Sequence, residues 1–393
     1  MDIFVINKED FSSDYTASVK QYDKVIWVES YNHPGEVTIV GNPNPLMSQI
    51  PVGTWISHSM TKTIMVIENH VIEGSKLTAT GRSIDAFIMD RRVVYGDGSW
   101  TAKRYSDGDM MVDLGYLTSW DAVRNLLNRA FKTPHFWQEE ISNLYIGIED
   151  DLNYYRDESN KTFILPKRFS VLSDAVYDIL QSNDIGIRVE RPNPERLGYS
   201  VLLNHDGDVE NYGPLPDDGL LFNIHQGEDL TEQYDLTFSW AQGDLLEPRY
   251  LWTIQDHRDA VVAYTKKSAY FLESTDGTSA WQYWQTSLNC EDYTPADDEY
   301  YGDIQDRLLG RGLRHAEKTQ GRYILTDAKV TKTAGPKYGL DYHLGDKVLV
   351  LGEYGLSQAM RVAECATISD KKGDEVIPTL ANIYSTTYFN TCS

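Results

Sequence analysis

Cysteine is scarce in this 393-residue chain: Cys290, Cys365 and Cys392 are the only three, and no two stand in a C-x-x-C pair. They cannot build a disulfide framework, and they read as small thiols in a reducing compartment. Long apolar runs are missing too, since nothing approaches the roughly 20 residues of a membrane-crossing helix. The opening "MDIFVINKED" has neither the basic flank nor the apolar stretch of a secretion signal. The chain is therefore expected to stay in the compartment where it is made. Positive charge is also short: Lys and Arg number 36 against 59 Asp and Glu, a formal net charge of −23. A grip on a nucleic-acid backbone needs clustered basic residues, so ordinary nucleic-acid binding is excluded. An acidic surface repels DNA, which suits a protein that DNA must pass without sticking.

Catalytic motifs are absent as well. There is no H-E-x-x-H, no Walker A loop and no G-x-S-x-G. "GLDYHLGDK" (339–347) lacks the glycine spacing of a phosphate loop, and "GRGLRH" (310–315) falls within a helical pattern, not at a strand-to-helix turn. The nine histidines are scattered without ligand spacing. One stretch comes near a calcium loop, with Asp206, Asp208, Glu210 and Asp217 at its first, third, fifth and twelfth positions. Asn211 stands where the loop needs glycine, so an acidic hairpin turn is the simpler reading. No cofactor is implied.

Aromatic residues are plentiful, at 12% with 26 Tyr and 9 Trp. Tyr and Trp join an apolar body to a hydrogen-bonding tip, which suits large protein interfaces and sugar-binding clefts alike. Residues 1–115 read as short strands between Pro-, Gly- and Asn-bearing turns, the pattern of a small barrel or sandwich. Residues 116–218 change to an α/β segment with helices expected at 117–131 and 170–183. β character returns at 219–265 and again at 319–393, with an insertion at 266–318 that carries a helix over 294–318. Within "LTATGRSIDAFIMDRRVV" (77–94) a strand is expected to break at Gly81, and Ser83 to cap a short helix. Arg82, Arg91 and Arg92 frame that helix and suit charge-assisted pairs with acidic groups of a neighbouring segment or subunit.

Four stretches in order resemble one family, the baseplate-hub or tail-tip hub proteins of long-tailed bacteriophages. They are "VIWVESYNHPGEVTIV" (25–40), with its opening tryptophan strand, residues 65–94 with their Gly-Arg-Ser and Arg-Arg pairs, residues 220–264, and "YGLDYHLGDKVLVLG" (338–352). The resemblance implies a mainly β fold with α+β insertions. Two related β-barrels (1–115, then 219–265 with 319–393) would be joined by α/β insertion domains at 116–218 and 266–318. It implies a homotrimeric ring of pseudo-sixfold symmetry in the virion tail, assembled in the host cytoplasm, and no enzymatic activity. Its partners would be the distal tail protein or tail tube, the tape-measure protein and other baseplate proteins. DNA would cross the channel without specific binding, and no membrane anchor is expected. Arg82, Arg91, Arg92 and Trp27 become the interface candidates. From the residues alone, a virion or secreted glycan-binding or glycan-cleaving protein stands as the alternative.

Overall fold

The computed structural model describes residues 1–8, 13–61, 63–94, 102–104, 110–112, 116–117, 119–132, 141, 144–148, 162–163, 171–190, 202–203, 209–211, 219–232, 236–252, 260–266, 268–273, 285–290, 301–302, 304–305, 308–309, 312, 323–330 and 336–381. Strands dominate them. The first seven are β1 (Ile3–Ile6), β2 (Ser13–Val19), β3 (Tyr22–Ser30), β4 (Glu36–Gly41), β5 (Trp55–His58), β6 (Met65–Glu73) and β7 (Lys76–Ser83). Alternation sets their faces: β4 buries Val37 and Ile39, and β7 buries Leu77 and Ala79. With Val25 and Trp27 of β3 these side chains form a core that includes Ile3, Leu46, Ile56 and Met65. Helix α1 (Pro43–Gln49) supplies Leu46; Pro43 opens it, and the Asn42 side chain accepts from the Asn44 amide at 3.3 Å.

β7 runs through Gly81 without breaking. A Cβ at Gly81 would lie 2.0 Å from the Val66 carbonyl oxygen, so glycine here lets β7 approach β6 closely. Helix α2 (Ile84–Met89) follows at once. Ser83 holds the N-cap position, but its hydroxyl accepts from the Gly35 amide at 3.0 Å and not from the helix.

The C-terminal β-rich half has its own core of Leu230, Phe238, Leu245, Tyr342, Val348, Met360, Val362 and Leu380. Its longest strand, Ser357–Asp370, pairs at its start with Lys347–Leu351 and later with β3, from Glu364 opposite Ser30 to Asp370 opposite Lys24. That second pairing joins the halves into one 13-stranded sheet. The expected pair of closed barrels is thus not the pairing seen among the described residues. The halves are two leaves of one sheet, ending at β2 and at Leu245–Trp252.

Helices α3 (Ser119–Phe131) and α4 (Leu172–Ser182) cover a separate three-stranded sheet. Leu220–His225 is its centre, parallel to Leu144–Ile148 and antiparallel to Gly186–Glu190. That corrects the expectation that residue 219 opens the second β-rich half. The strand is buried along its whole length, as a strand covered on both faces must be. Ala260–Tyr264 likewise pairs with Ala269–Glu273 and Gln285–Asn289, and not with the C-terminal leaf. The expected 294–318 helix is helical at its described residues 301–302, 304–305, 308–309 and 312, and the rest of it lies outside the described residues.

Candidate functional site

The first leaf, the α/β segment and the C-terminal leaf meet at Tyr31, in the turn between β3 and β4. Its amide donates to the Ala363 carbonyl at 2.9 Å, and its carbonyl accepts from the Ile187 amide at 3.1 Å. Its hydroxyl donates to the carbonyls of Asp184, at 3.1 Å, and His225, at 3.3 Å. Gly186 and Gly345 leave room for the ring, since a Cβ on either would fall within 2.5 Å of it. Arg361, 3% exposed in the C-terminal leaf, lies 5.2 Å from the Tyr31 ring centroid. It grips the Asp184 carboxylate with two nitrogens, Nε at 2.9 Å, and also donates to the Gly345 carbonyl. A bidentate guanidinium–carboxylate pair fixes direction as well as distance. Asp184 adopts φ 53°, the left-handed turn that ends α4 and aims its side chain at the C-terminal leaf.

Asp346 completes the fastening by accepting from the amides of Glu228, at 2.9 Å, and His343, at 2.7 Å. The Lys347 amide donates to the Glu228 carbonyl at 2.8 Å. A Cβ on Gly227 would sit 2.0 Å from the Gly345 carbonyl oxygen, so this crossing also depends on glycine.

Beside the junction is a cavity of about 270 Å³ lined from all three segments, by Glu29, Asp85, Thr61, Arg188, Tyr338 and His343 among others. Burial pushes the Glu29 carboxyl up, opposed by hydrogen bonds from the hydroxyl of Thr61 and from Trp27 Nε1, the latter at 3.2 Å. Burial also raises Asp85, which accepts from the Tyr177 hydroxyl at 2.5 Å. Cys365 lies across the strand pair from Glu29, and burial, then the Glu29 charge, push its thiol up to about 12. Such a thiol is not a nucleophile at neutral pH. Among the described residues no three His, Cys, Asp or Glu side chains are grouped to hold a metal. The arrangement fastens segments together, and burial raises the proton affinity of its acids.

The interface candidates fall elsewhere. Arg82 pairs within the chain, with Glu68 at 2.7 Å and with Asp90 at 2.5 Å; the Glu68 bond, the larger influence, holds its guanidinium above its usual range. Arg91 lies over the Phe87 ring at 3.6 Å and reaches Glu68 at 3.8 Å. Arg92 lies 5.5 Å from the Phe131 ring centroid. The acidic neighbours expected for this cluster are thus present in its own chain. Trp27 is fully buried in the first leaf, edge-on to His58 at 4.6 Å, so it corrects from an interface candidate to a core residue. The calcium candidates Asp206, Asp208 and Asp217 lie outside the described residues; of Glu210 only the backbone is described, in the short strand Val209–Asn211. Tyr31, Asp184 and Arg361 went unseen in the sequence, where no periodicity links three positions so far apart. The one local signal is "SNDIG", an acidic residue just past a helix and before a glycine.

No protein-family profile and no curated protein sequence matches the chain. Solved structures do. The tail protein from Neisseria meningitidis MC58 is similar with a TM-score of 0.53 at 12% identity, over 97% of both chains. The 43 kDa tail protein of prophage MuSo2 from Shewanella oneidensis gives 0.55 at 10% identity over 98% of both. Prophage tail protein gp18 from Listeria monocytogenes EGD-e gives 0.50 at 12%, over 97% of this chain and 94% of that one. The chain thus shares its fold with these solved tail proteins.

Proposed function

We propose that the chain is a structural, non-enzymatic component of a bacteriophage virion tail, the hub ring at the distal end of the tail tube. One observation carries this reading: the likeness to solved tail proteins runs end to end, over nearly all of both chains. The fold supports it. Two β-rich leaves with separate cores give each copy two comparable units, so three copies present six around one axis, a pseudo-sixfold ring. Each leaf, with the missing pairings supplied, would form one of the two barrels. The domain division then runs 1–115, 116–218, 219–265 with 319–393, and 266–318, with Leu220–His225 going to the first insertion and Ala260–Tyr264 to the second by their strand partners. Arg91, more than half exposed, is placed to reach a neighbouring copy.

In this role the ring sits under the distal tail protein or tail tube, anchors the tape-measure protein and other baseplate proteins, and gives DNA passage through an acidic conduit. The native mass of the purified chain tests it. Three copies of 44.8 kDa make a particle of about 134 kDa. A monomer that also fails to add to purified tail tubes overturns the proposal.

A further inference from the structure

Each hydrophobic core stays on one side of a seam. The cores of the first leaf and the α/β segment take their buried residues from between Ile3 and Ile224. That of the C-terminal leaf takes them from between Leu230 and Leu380, and no hydrophobic cluster among the described residues draws on both sides. The seam itself holds polar groups and a void. They are the Arg361–Asp184 pair, Lys347 at 3.6 Å from the same carboxylate, Tyr31, and the cavity of about 270 Å³. Segments joined without a large apolar interface move against one another by default.

One hairpin crosses the seam, made of Ser357–Asp370 and Gly373–Ala381. Its near half pairs inside the C-terminal leaf, with Lys347–Leu351 on one side and with Asp327 to Lys329 on the other. From Glu364 onward it pairs with β3. The hand-over falls at a bulge: Val362 faces Leu380 and Glu364 faces Thr379, so Ala363 has no residue opposite. Pro378, facing Cys365 beside it, has no amide to give the ladder. A bulge interrupts pairing and bends its strand, and strands that pass from one sheet to another do so at such points.

Arg361 stands two residues before the bulge and reaches across the seam to Asp184, at the end of α4. The Ala363 carbonyl itself accepts from the Tyr31 amide at 2.9 Å. A buried ion pair adds little net stability, but losing one partner leaves the other charge buried and unpaired. Opening the seam to water relieves that penalty. The pair therefore favours one arrangement while it is intact, and the open one when it is broken.

We propose that Ala363 is a hinge and the Arg361–Asp184 pair its latch: closed, the pair holds the C-terminal leaf against the α/β segment, and broken, the leaf turns as one body about the bulge. This goes beyond the tail reading and does not depend on it. From Ser357 to Ala363 the strand reaches about 20 Å, so a turn of some tens of degrees moves its far end by roughly 10 Å. Spin labels on Ser48→Cys in the first leaf and Ser357→Cys in the C-terminal leaf, both exposed, read that movement as a distance. Cys392→Ser removes one native thiol, Cys290 and Cys365 are buried, and dilution into excess unlabelled chain restricts the reading to single copies. The wild type should give one distance. Asp184→Asn, which keeps the size and suits the left-handed turn, should add a second, displaced by roughly 10 Å. Amide exchange separates turning from unfolding. Val37 and Ile39 in one core, and Val348 and Val350 in the other, should keep their protection, while the Tyr31 amide exchanges about tenfold faster or more. An unmoved distance in the variant, or the same two distances in the wild type, overturns the latch. Loss of protection in both cores, or in the C-terminal core alone, overturns the hinge.

Discussion

His58 lies against the buried Trp27, and its Nδ1 accepts from the Met60 amide at 3.1 Å. Burial first, then the N-terminal ammonium, hold its imidazole down to about 4 from 6.5, while Asp374 pulls the other way. The unfolded chain therefore takes up the proton first as the pH drops. The His58 contribution to stability is full above 6.5 and is lost as the pH falls through 4. His33, held to about 4 by burial, acts in the same direction. Glu29 and Asp85 act in the opposite one: burial raises their folded values, so their contribution is full at low pH and is lost as the pH rises through those raised values. Urea denaturation of His58→Asn, which keeps an acceptor for the Met60 amide, should show a shallower acid limb. Between pH 6.5 and 4 the wild type should lose about 3 kcal/mol more than the variant. Parallel limbs would show that His58 is not held neutral. At this scale the sequence was read unevenly. The acidic partners expected for Arg82 from a neighbouring segment or subunit are Glu68 of β6 and Asp90 of its own stretch, and Trp27 carries no local mark that separates a core tryptophan from an interface one.

Elements were more legible, because periodicity is local. β3, β4 and β7 and both long helices of the α/β segment stand where their spacing puts them. Misreadings came from partners distant in the chain. Leu220–His225 was recognised as a strand, but its whole-length burial is satisfied by the α/β sheet, and nothing in six residues says which sheet that is. At Gly81 the sequence showed a break where the structure has a crossing. Turn chemistry and close strand approach both select glycine, and only the 2.0 Å approach to Val66 decides between them. Gly81→Ala should therefore destabilise by about 2 kcal/mol or more, since the obstacle is backbone and β7 is held between β4 and β6. Gly74→Val, at an open turn with φ +61°, should cost less despite its backbone conformation, because it meets nothing within 4 Å. Equal losses in thermal melts would mean that the β6–β7 crossing is more yielding than its geometry indicates.

For the whole molecule, the proposed ring would assemble through edges that one chain leaves open. β6 pairs with β5 only at Met65 and Val66, while β7 holds it as far as Glu73. Beyond Ile67 the outer edge of β6 has no strand beside it among the described residues, and Val71 and Ile72, on opposite faces, are 49% and 52% exposed. Adjacent strand residues both lie in solvent only where the hairpin stands clear of the body. An unpaired edge bearing two exposed β-branched residues invites another strand. In a ring of identical copies that strand belongs to the next copy, and a head-to-tail contact closes when the rotation is right. The sequence alone could not show this, because exposure of a hairpin is a property of everything that fails to pack on it. Val71→Lys with Ile72→Lys places two like charges on the arm without touching either core. The double variant should keep the wild-type melting temperature within a few degrees and lose the particle of about 134 kDa, running as the 44.8 kDa chain. Retention of the large particle would move the contact between copies away from this arm, to Arg91 or to the far edge at Leu245–Trp252.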